Sequence, residues 1–406
     1  MDNSIIGLLV FAVAFLTSLF IFPLAMRFAV KHNIVDNPNA RKLQRSPVPV
    51  FGGVVVYAGI LVGTQVLWLF MPSDMLQWGI MAMTIMLLIG IWDDIKDISV
   101  ALRFLIEILM VGTFITLTGL YIDGLSGLWG IEELSPWLGI PFSIFVGVGI
   151  INAINMIDGV DGYSSGYGML SCACLALAFY AVWDPKMVCM ALIVIGALLP
   201  FFMHNVFGQY SRMYIGDGGT LMLGMVLVTM AFYSLSSNTQ MDHLDEKGIC
   251  VPAFILAVGS IPIFDTLRVM SQRMMRGRSP FKPDKTHLHH LFIDMRFSHL
   301  GASLCILAIN LMVVFFWYLT WLLGASLEVQ MYVVIALGTL VTFGLYFIMR
   351  KQQNGGPVDE EGYPLGTRLW HKMCHFGEWT HKENKRSWRF LSYIMDGPMQ
   401  GRGIIK

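Results

Sequence analysis

Four groups of polar residues in this chain of 406 have the types and spacing that handle phosphate. Asp93-Asp94-Ile95-Lys96-Asp97 sets adjacent carboxylates at the end of an apolar run. Asn155, Asp158 and Asp161 space amide and carboxylate oxygens three residues apart, with Gly159 inside the set and Gly162 just after it. Gly216-Asp217-Gly218-Gly219-Thr220 places a carboxylate beside the backbone N–H groups of a helix start, which is how a metal–phosphate pair is held. His287-Leu288-His289-His290 lies in a basic stretch from Arg273 to Arg296 that also carries Arg276, Arg278, Lys282 and Lys285. Oxygen donors beside a basic, histidine-rich loop are the parts of a site for a divalent cation and a phosphate ester.

Each group also has a plain structural reading. The Asp93-Asp94 pair could be ordinary helix-end acids. Asn155, Asp158 and Asp161 would share one face of a helix, but the glycines signal a break or a capping turn. Gly216–Gly219 could be a turn with a capping Asp. Three imidazoles at i, i+2 and i+3 could hold a structural zinc, although the surrounding Arg and Lys disfavour a dication and favour phosphate. Singly, none of these signals decides the matter.

Composition sets the frame. Hydrophobic residues make up 56% and charged residues 13%, about half the charge of a soluble domain. The chain reads as an all-α polytopic membrane protein. Apolar segments near 4–26, 52–71, 77–92, 101–120, 137–156, 164–183, 187–203, 219–237, 251–270, 300–323 and 330–349 give about eleven transmembrane helices. The first has no basic leader or cleavage site, so it is read as a retained span. The six cysteines lack zinc-type spacing, and most sit in apolar spans as free thiols.

Orientation follows from Lys and Arg. The loops after odd-numbered spans carry Arg27, Lys31, Arg41, Lys42, Arg45, Lys96, Arg103, Arg212, Arg268, Arg273, Arg276, Arg278, Lys282, Lys285 and Arg296. The opposite loops carry Lys186 and Lys247 among acids. This bias places the N-terminus outside and the C-terminus in the cytoplasm. All four polar groups then fall on the cytoplasmic face, although acids and histidines took no part in setting it. A transporter would instead place ionisable groups near mid-span around broken helices. The candidates for that here, Glu107 and Asp265, read as lying toward helix ends.

Asp93-Asp94, Asn152-Ala-x-Asn155-Met-x-Asp158-Gly-x-Asp161-Gly162, Gly216-Asp217-x-Gly219 and Ser279-Pro280-Phe281-x-Pro283-Asp284-Lys285-x-His287-x-His289-His290 together resemble the motifs of the polyprenyl-phosphate N-acetylhexosamine-1-phosphate transferases. Pro49-Val50-Phe51-Gly52-Gly53 is similar to that family's Pro-x-x-Gly-Gly. The resemblance covers residues 1–350 in order and spacing, and the acidic and histidine motifs look like the WecA/TagO-type branch. It implies a transmembrane transferase domain over 1–350, with a cytoplasmic tail over 351–406 outside the match.

The resemblance also implies a reaction. A lipid phosphate attacks the β-phosphorus of a UDP-N-acetylhexosamine and expels UMP, with UDP-N-acetylglucosamine and undecaprenyl phosphate the expected pair. The product would start a cell-surface polysaccharide. It further implies Asp217 and Asn155 as ligands of Mg²⁺ or Mn²⁺, and Asp93 and Asp94 beside the lipid phosphate. Asp93 is then either a proton acceptor or an electrostatic control on the metal. A two-step route through an aspartyl-phosphate stays open, as does the identity of the sugar. Arg103 would hold a phosphate, and Asp158 and Asp161 would organise the nucleotide side. His287, His289 and His290, with Arg276 and Arg278, would clamp the diphosphate or sugar. The setting implied is a bacterial cytoplasmic (inner) membrane, with the site facing the cytoplasm. In the tail, Trp370, Trp379 and Trp388 alternate with His and basic residues. Interfacial membrane anchoring or docking of a second protomer in a homodimer suits that pattern better than nucleic acid.

Overall fold

The computed structural model describes residues 2–36, 47–237, 239–281, 286–353, 373–381 and 395–396. Arg41, Lys42, Arg45, Lys282, Pro283, Asp284, Lys285, Trp370 and Trp388 lie outside the described residues.

Long runs of Leu, Ile, Val, Met and Phe go helical in hydrocarbon because each backbone group must find its partner within the segment. The first four helices are α1 (Asn3–Lys31), α2 (Gly52–Phe70), α3 (Asp74–Lys96) and α4 (Val100–Thr118). They are followed by α5 (Pro136–Met156), α6 (Tyr163–Ala181), α7 (Pro185–Phe207) and α8 (Gly216–Leu235). The short α9 (Asp242–Asp245) precedes α10 (Val251–Val258) and α11 (Ser260–Met275). The chain then forms α12 (Leu288–Asp294), α13 (His299–Leu322) and α14 (Leu327–Gln353). Among the described residues, ten helices are long and apolar enough to cross a membrane, or eleven when the bent pair α10 and α11 is counted as one span. The protein is an all-α polytopic membrane protein. Two short strands, β1 (Val35–Asp36) and β2 (Val48–Pro49), pair antiparallel beside the start of α2.

Four expectations are corrected here. The third span is longer than 77–92, so Asp93 and Asp94 belong to the last turns of α3 and do not follow it. The ninth span is not one helix, because α10 and α11 meet at a 72° bend. Gly259 sits at that break, and Pro262 just beyond it has no N–H to donate back across the junction. Finally, Glu107 lies two turns inside α4 and is fully buried. Arg268 and Arg273, counted with the loops, are buried in α11.

α8 is the central post of the bundle, buried along most of its length and packed by α2, α3 and α5. Its start comes very close to two neighbours. A Cβ on Gly90 would stand 2.3 Å from the Gly218 nitrogen, and one on Gly53 would stand 2.4 Å from the Gly219 nitrogen. Gly53 and Gly90 therefore let α2 and α3 touch the α8 backbone. That contact brings the carboxylates at the ends of α3 and α8 together.

Candidate active site

The acidic centre forms where α3, α4, α5 and α8 end together. Asp94 accepts the backbone N–H of Asp217 at Oδ1 (3.0 Å) and that of Gly218 at Oδ2 (3.2 Å). A carboxylate on the first N–H groups of a helix is a charged cap, here supplied by a neighbouring helix. Asp94 thus fixes the start of α8, and with it Asp217. The Asp217 side chain stays 40% exposed. Asn155 Nδ2 donates to Asp217 Oδ1 (2.9 Å) and to Thr220 Oγ1 (2.9 Å).

Arg103 stands among these acids. Its Nη1 pairs with Asp93 Oδ2 at 3.2 Å and lies 4.0 Å from Asp217 Oδ2. Asp93 Oδ1 accepts the Ile98 N–H (2.9 Å), which closes the turn after α3. Behind the guanidinium, Arg103 Nε lies 3.6 Å from Glu107 Oε1, and Nη2 donates to Asn152 Oδ1 (3.4 Å). Asn152 in turn donates to Glu107 and to the Val148 carbonyl. A buried carboxylate is costly unless paired, and Glu107 has its cation and its amide. Sequence reasoning singled out Arg103 but gave Glu107 and Asn152 no role.

α5 stops at Met156, and the turn 157–162 carries the next two carboxylates away from the helix axis. The i, i+3, i+6 series is therefore broken, as its glycines suggested. Asp158 is exposed, with its carboxyl turned back onto the start of α6. Loss of hydration there raises its pKa to about 7, opposed by the Ser164 hydroxyl that donates to it (2.7 Å). Asp161 behaves in the opposite way. Burial alone would raise it, but His299 Nδ1 at 3.0 Å and the paired Arg212 guanidinium hold it below the usual carboxylate range. Neither Arg212 nor His299 had been connected to Asp161, since they lie 51 and 138 residues away in sequence.

The histidine centre hangs on Asp265. Asp265 Oδ2 contacts His287 Nδ1 (2.9 Å) and accepts the Leu288 N–H (3.2 Å), while Oδ1 pairs with Arg268 Nη2 (2.6 Å). Arg268 also donates to the Thr286 carbonyl and lies over the Tyr346 ring, 4.3 Å from its centroid. His287 and His289 stack at 5.7 Å, and His290 is tilted 4.3 Å from His289. Burial, with His290 and His287 beside it, holds His289 well below the ordinary imidazole pKa. Arg276 and Arg278 are exposed past the end of α11, where Arg276 donates to Tyr346 (3.4 Å). The cation tied to the histidine turn is Arg268.

The two centres meet at Gly159, where a Cβ would stand 2.0 Å from His289 Nε2. Only a residue without a side chain lets the turn 157–162 lie against that ring. Among the described residues, no three His, Cys, Asp or Glu form a metal-holding group. Asp217 keeps an exposed carboxylate of the kind Mg²⁺ takes, while Asn155 turns its Nδ2 rather than its oxygen toward it.

An apolar cavity of about 320 Å³ runs along α5 from Phe142 to Ile154 and is closed on its other side by Ile255, Pro262 and Met331. A broken helix is also how transporters build a midplane ion site. At this break Asn310 of α13 accepts the Ile261 N–H (3.1 Å) and donates to the Val258 carbonyl (3.0 Å), so the backbone groups freed by the bend are taken up by a neighbouring helix.

A helical membrane bundle with acids, a fixed arginine and histidines at one end defines a membrane-embedded site for phosphate chemistry. The model of glycosyl transferase family 4 matches residues 76–235. A Bacillus subtilis (strain 168) protein named "Probable undecaprenyl-phosphate N-acetylglucosaminyl 1-phosphate transferase" is 30% identical over 312 residues, 76% of this chain and 84% of the relative. The undecaprenyl-phosphate alpha-N-acetylglucosaminyl 1-phosphate transferase of Escherichia coli O157:H7 is 29% identical over 294 residues, 71% of this chain and 77% of the relative. That of Yersinia pestis is 27% identical over 310 residues, 75% and 80% respectively. The chain belongs to glycosyl transferase family 4, as a sugar-1-phosphate transferase.

Proposed function

We propose that this protein transfers N-acetylglucosamine 1-phosphate from UDP-N-acetylglucosamine to undecaprenyl phosphate. An oxygen of the lipid phosphate bonds to the β-phosphorus, and the bond from that phosphorus to the bridging oxygen breaks. The electron pair leaves with UMP, and the lipid-diphosphate sugar remains to start a cell-surface polysaccharide. The observation that carries this reading is Arg103, held between Asp93 and Asp217 and braced from behind by Glu107 and Asn152. Phosphoryl transfer asks the protein for position and charge rather than covalent chemistry. A cation fixed before substrate arrives meets that need without reorganising.

The pairing of Asp93 with Arg103 supports a role in orienting the attacking phosphate or taking its proton. Asp94 acts through Asp217 by capping α8. Asp217 and Asn155 would hold Mg²⁺ or Mn²⁺, which supplies charge neutralisation across the diphosphate. Asp158 and Asp161 serve the nucleotide side, and the histidine turn serves the diphosphate or sugar. The 320 Å³ apolar cavity reaches Ala153 and Ile154, next to Asn155, and suits the hydrocarbon end of a polyprenyl phosphate. The Lys/Arg bias supports placing this face toward the cytoplasm of a bacterial inner membrane.

The test is release of UMP from UDP-N-acetylglucosamine by purified protein with undecaprenyl phosphate and Mg²⁺, with UDP-N-acetylgalactosamine run beside it. No release from either donor would sink the reading. Asp217→Ala should abolish turnover in a protein that still folds. Near-normal turnover of that variant at low Mg²⁺ would remove Asp217 from the metal site.

A further inference from the structure

The tail beyond α14 reaches the site end at two places. Residues 373–381 are helical and lie on the turn between α12 and α13. Ser298, which caps α13, donates its backbone N–H to Thr380 Oγ1 (3.1 Å), and Arg296 pairs with Glu378 (2.8 Å). A Cβ on Gly377 would stand 2.6 Å from the Met295 carbonyl, so this helix sits directly on backbone. Farther along, Asp396 is 1% exposed. Its carboxylate accepts three successive backbone N–H groups, from Gln209 (3.1 Å), Tyr210 (3.1 Å) and Ser211 (3.0 Å), as well as the Ser211 hydroxyl (3.0 Å). Consecutive N–H groups converging on one charge make an anion-binding nest. Here the anion belongs to the chain itself.

Both anchors stop one residue short of a partner of Asp161. Arg212 follows Ser211, and His299 follows Ser298. These two side chains, from separate loops of the chain, are the groups that pair with Asp161 Oδ2. We propose that Asp396 is a positioning residue for the site: it sets the 209–212 loop so that Arg212 holds Asp161 in place, while segment 373–381 does the same for His299. The inference rests on reading Asp161 as a nucleotide-side group. It gives the tail a part in donor binding, in place of membrane anchoring.

The test uses the full-length protein in detergent, with UMP release measured against UDP-N-acetylglucosamine and donor affinity measured separately by thermal shift. Asp396→Ala should raise KM for the donor about tenfold, the equivalent of one lost charge-assisted hydrogen bond. Its kcat should stay within about twofold, since Asp396 touches no reacting atom. Asp396→Asn keeps one acceptor oxygen and should fall between wild type and Ala, and it carries the test if the Ala variant does not fold. Arg212→Ala should weaken donor binding too. If Asp396 acts through Arg212, the double variant is no worse than Arg212→Ala alone.

Unchanged KM, additive effects in the double variant, or a loss of kcat at constant KM would each overturn the proposal. The last result would mean that the tail merely supports folding. A wild type that neither binds nor turns over UDP-N-acetylglucosamine would overturn the transferase reading together with this inference. A wild type that turns over normally, with equal donor affinity in Asp396→Ala, would overturn this inference alone.

Discussion

Asp93 and Asp94 are adjacent in sequence and do different work. Asp93 faces Arg103, whereas both oxygens of Asp94 are engaged by the first N–H groups of α8. Asp93→Asn should lower turnover by roughly 10²–10⁴-fold at near-wild-type stability. Asp94→Asn should lower turnover less and cost about 0.5–2 kcal/mol of stability, the range for a lost helix cap. Kinetics and thermal melts of the two variants separate these roles, and equal small losses at both would reduce the pair to helix-end features. Asp158 supplies a pH dependence. Its folded pKa of about 7 lies above the ordinary value of 3.8, so folding favours the neutral carboxyl. That contribution is complete below the unfolded value and is lost as pH rises through 7. Asp158→Asn, neutral at every pH, should flatten any decline in melting temperature between about pH 4 and pH 7. An identical decline in wild type and variant would show that Asp158 is not the group titrating.

Elements meet at this site through missing side chains. Gly90 contacts the α8 backbone so closely that even a methyl group has no room. Gly90→Ala should push α3 off α8, lower stability by about 1–3 kcal/mol, and cut turnover by moving Asp93 and Asp94 away from Asp217. Gly149 is the control, because a Cβ there meets nothing within 4 Å. Gly149→Ala should leave melting temperature and turnover near wild type. If both variants behave alike, close approach of α3 and α8 does not set the site.

For the whole molecule, the two substrates differ in the solvent they come from. A nucleotide sugar arrives from water and a polyprenyl phosphate from lipid, so the site must open to both. The acidic and histidine centres occupy the polar end, and the apolar cavity beside the α10–α11 bend leads away from it. Ile255→Trp should fill part of that cavity. It is expected to raise KM for undecaprenyl phosphate roughly tenfold, the equivalent of about two buried methylenes, and to leave KM for the UDP-sugar unchanged. Equal effects on both substrates would show that the cavity does not take the lipid.

Spans and motif chemistry were legible in the chain itself, because hydrocarbon solvation acts on each apolar run separately and leaves few alternatives to a helix. Asp93, Asp94, Asn155 and Asp217 were recognisable because each sits in a short local pattern at a helix end. What brings them together was not written locally. The pairing of Asp161 with Arg212 and His299, the support of Arg103 by Asn152, and the anchoring of His287 by Asp265 each join different helices. Arg268 read as one more basic loop residue until the bend after α10 and the packing of α14 buried it against Tyr346. Hydropathy and spacing report what a segment does with its own neighbours. Which buried charge finds which partner is decided only when helices pack, because the cost of leaving one unpaired depends on what surrounds it in three dimensions.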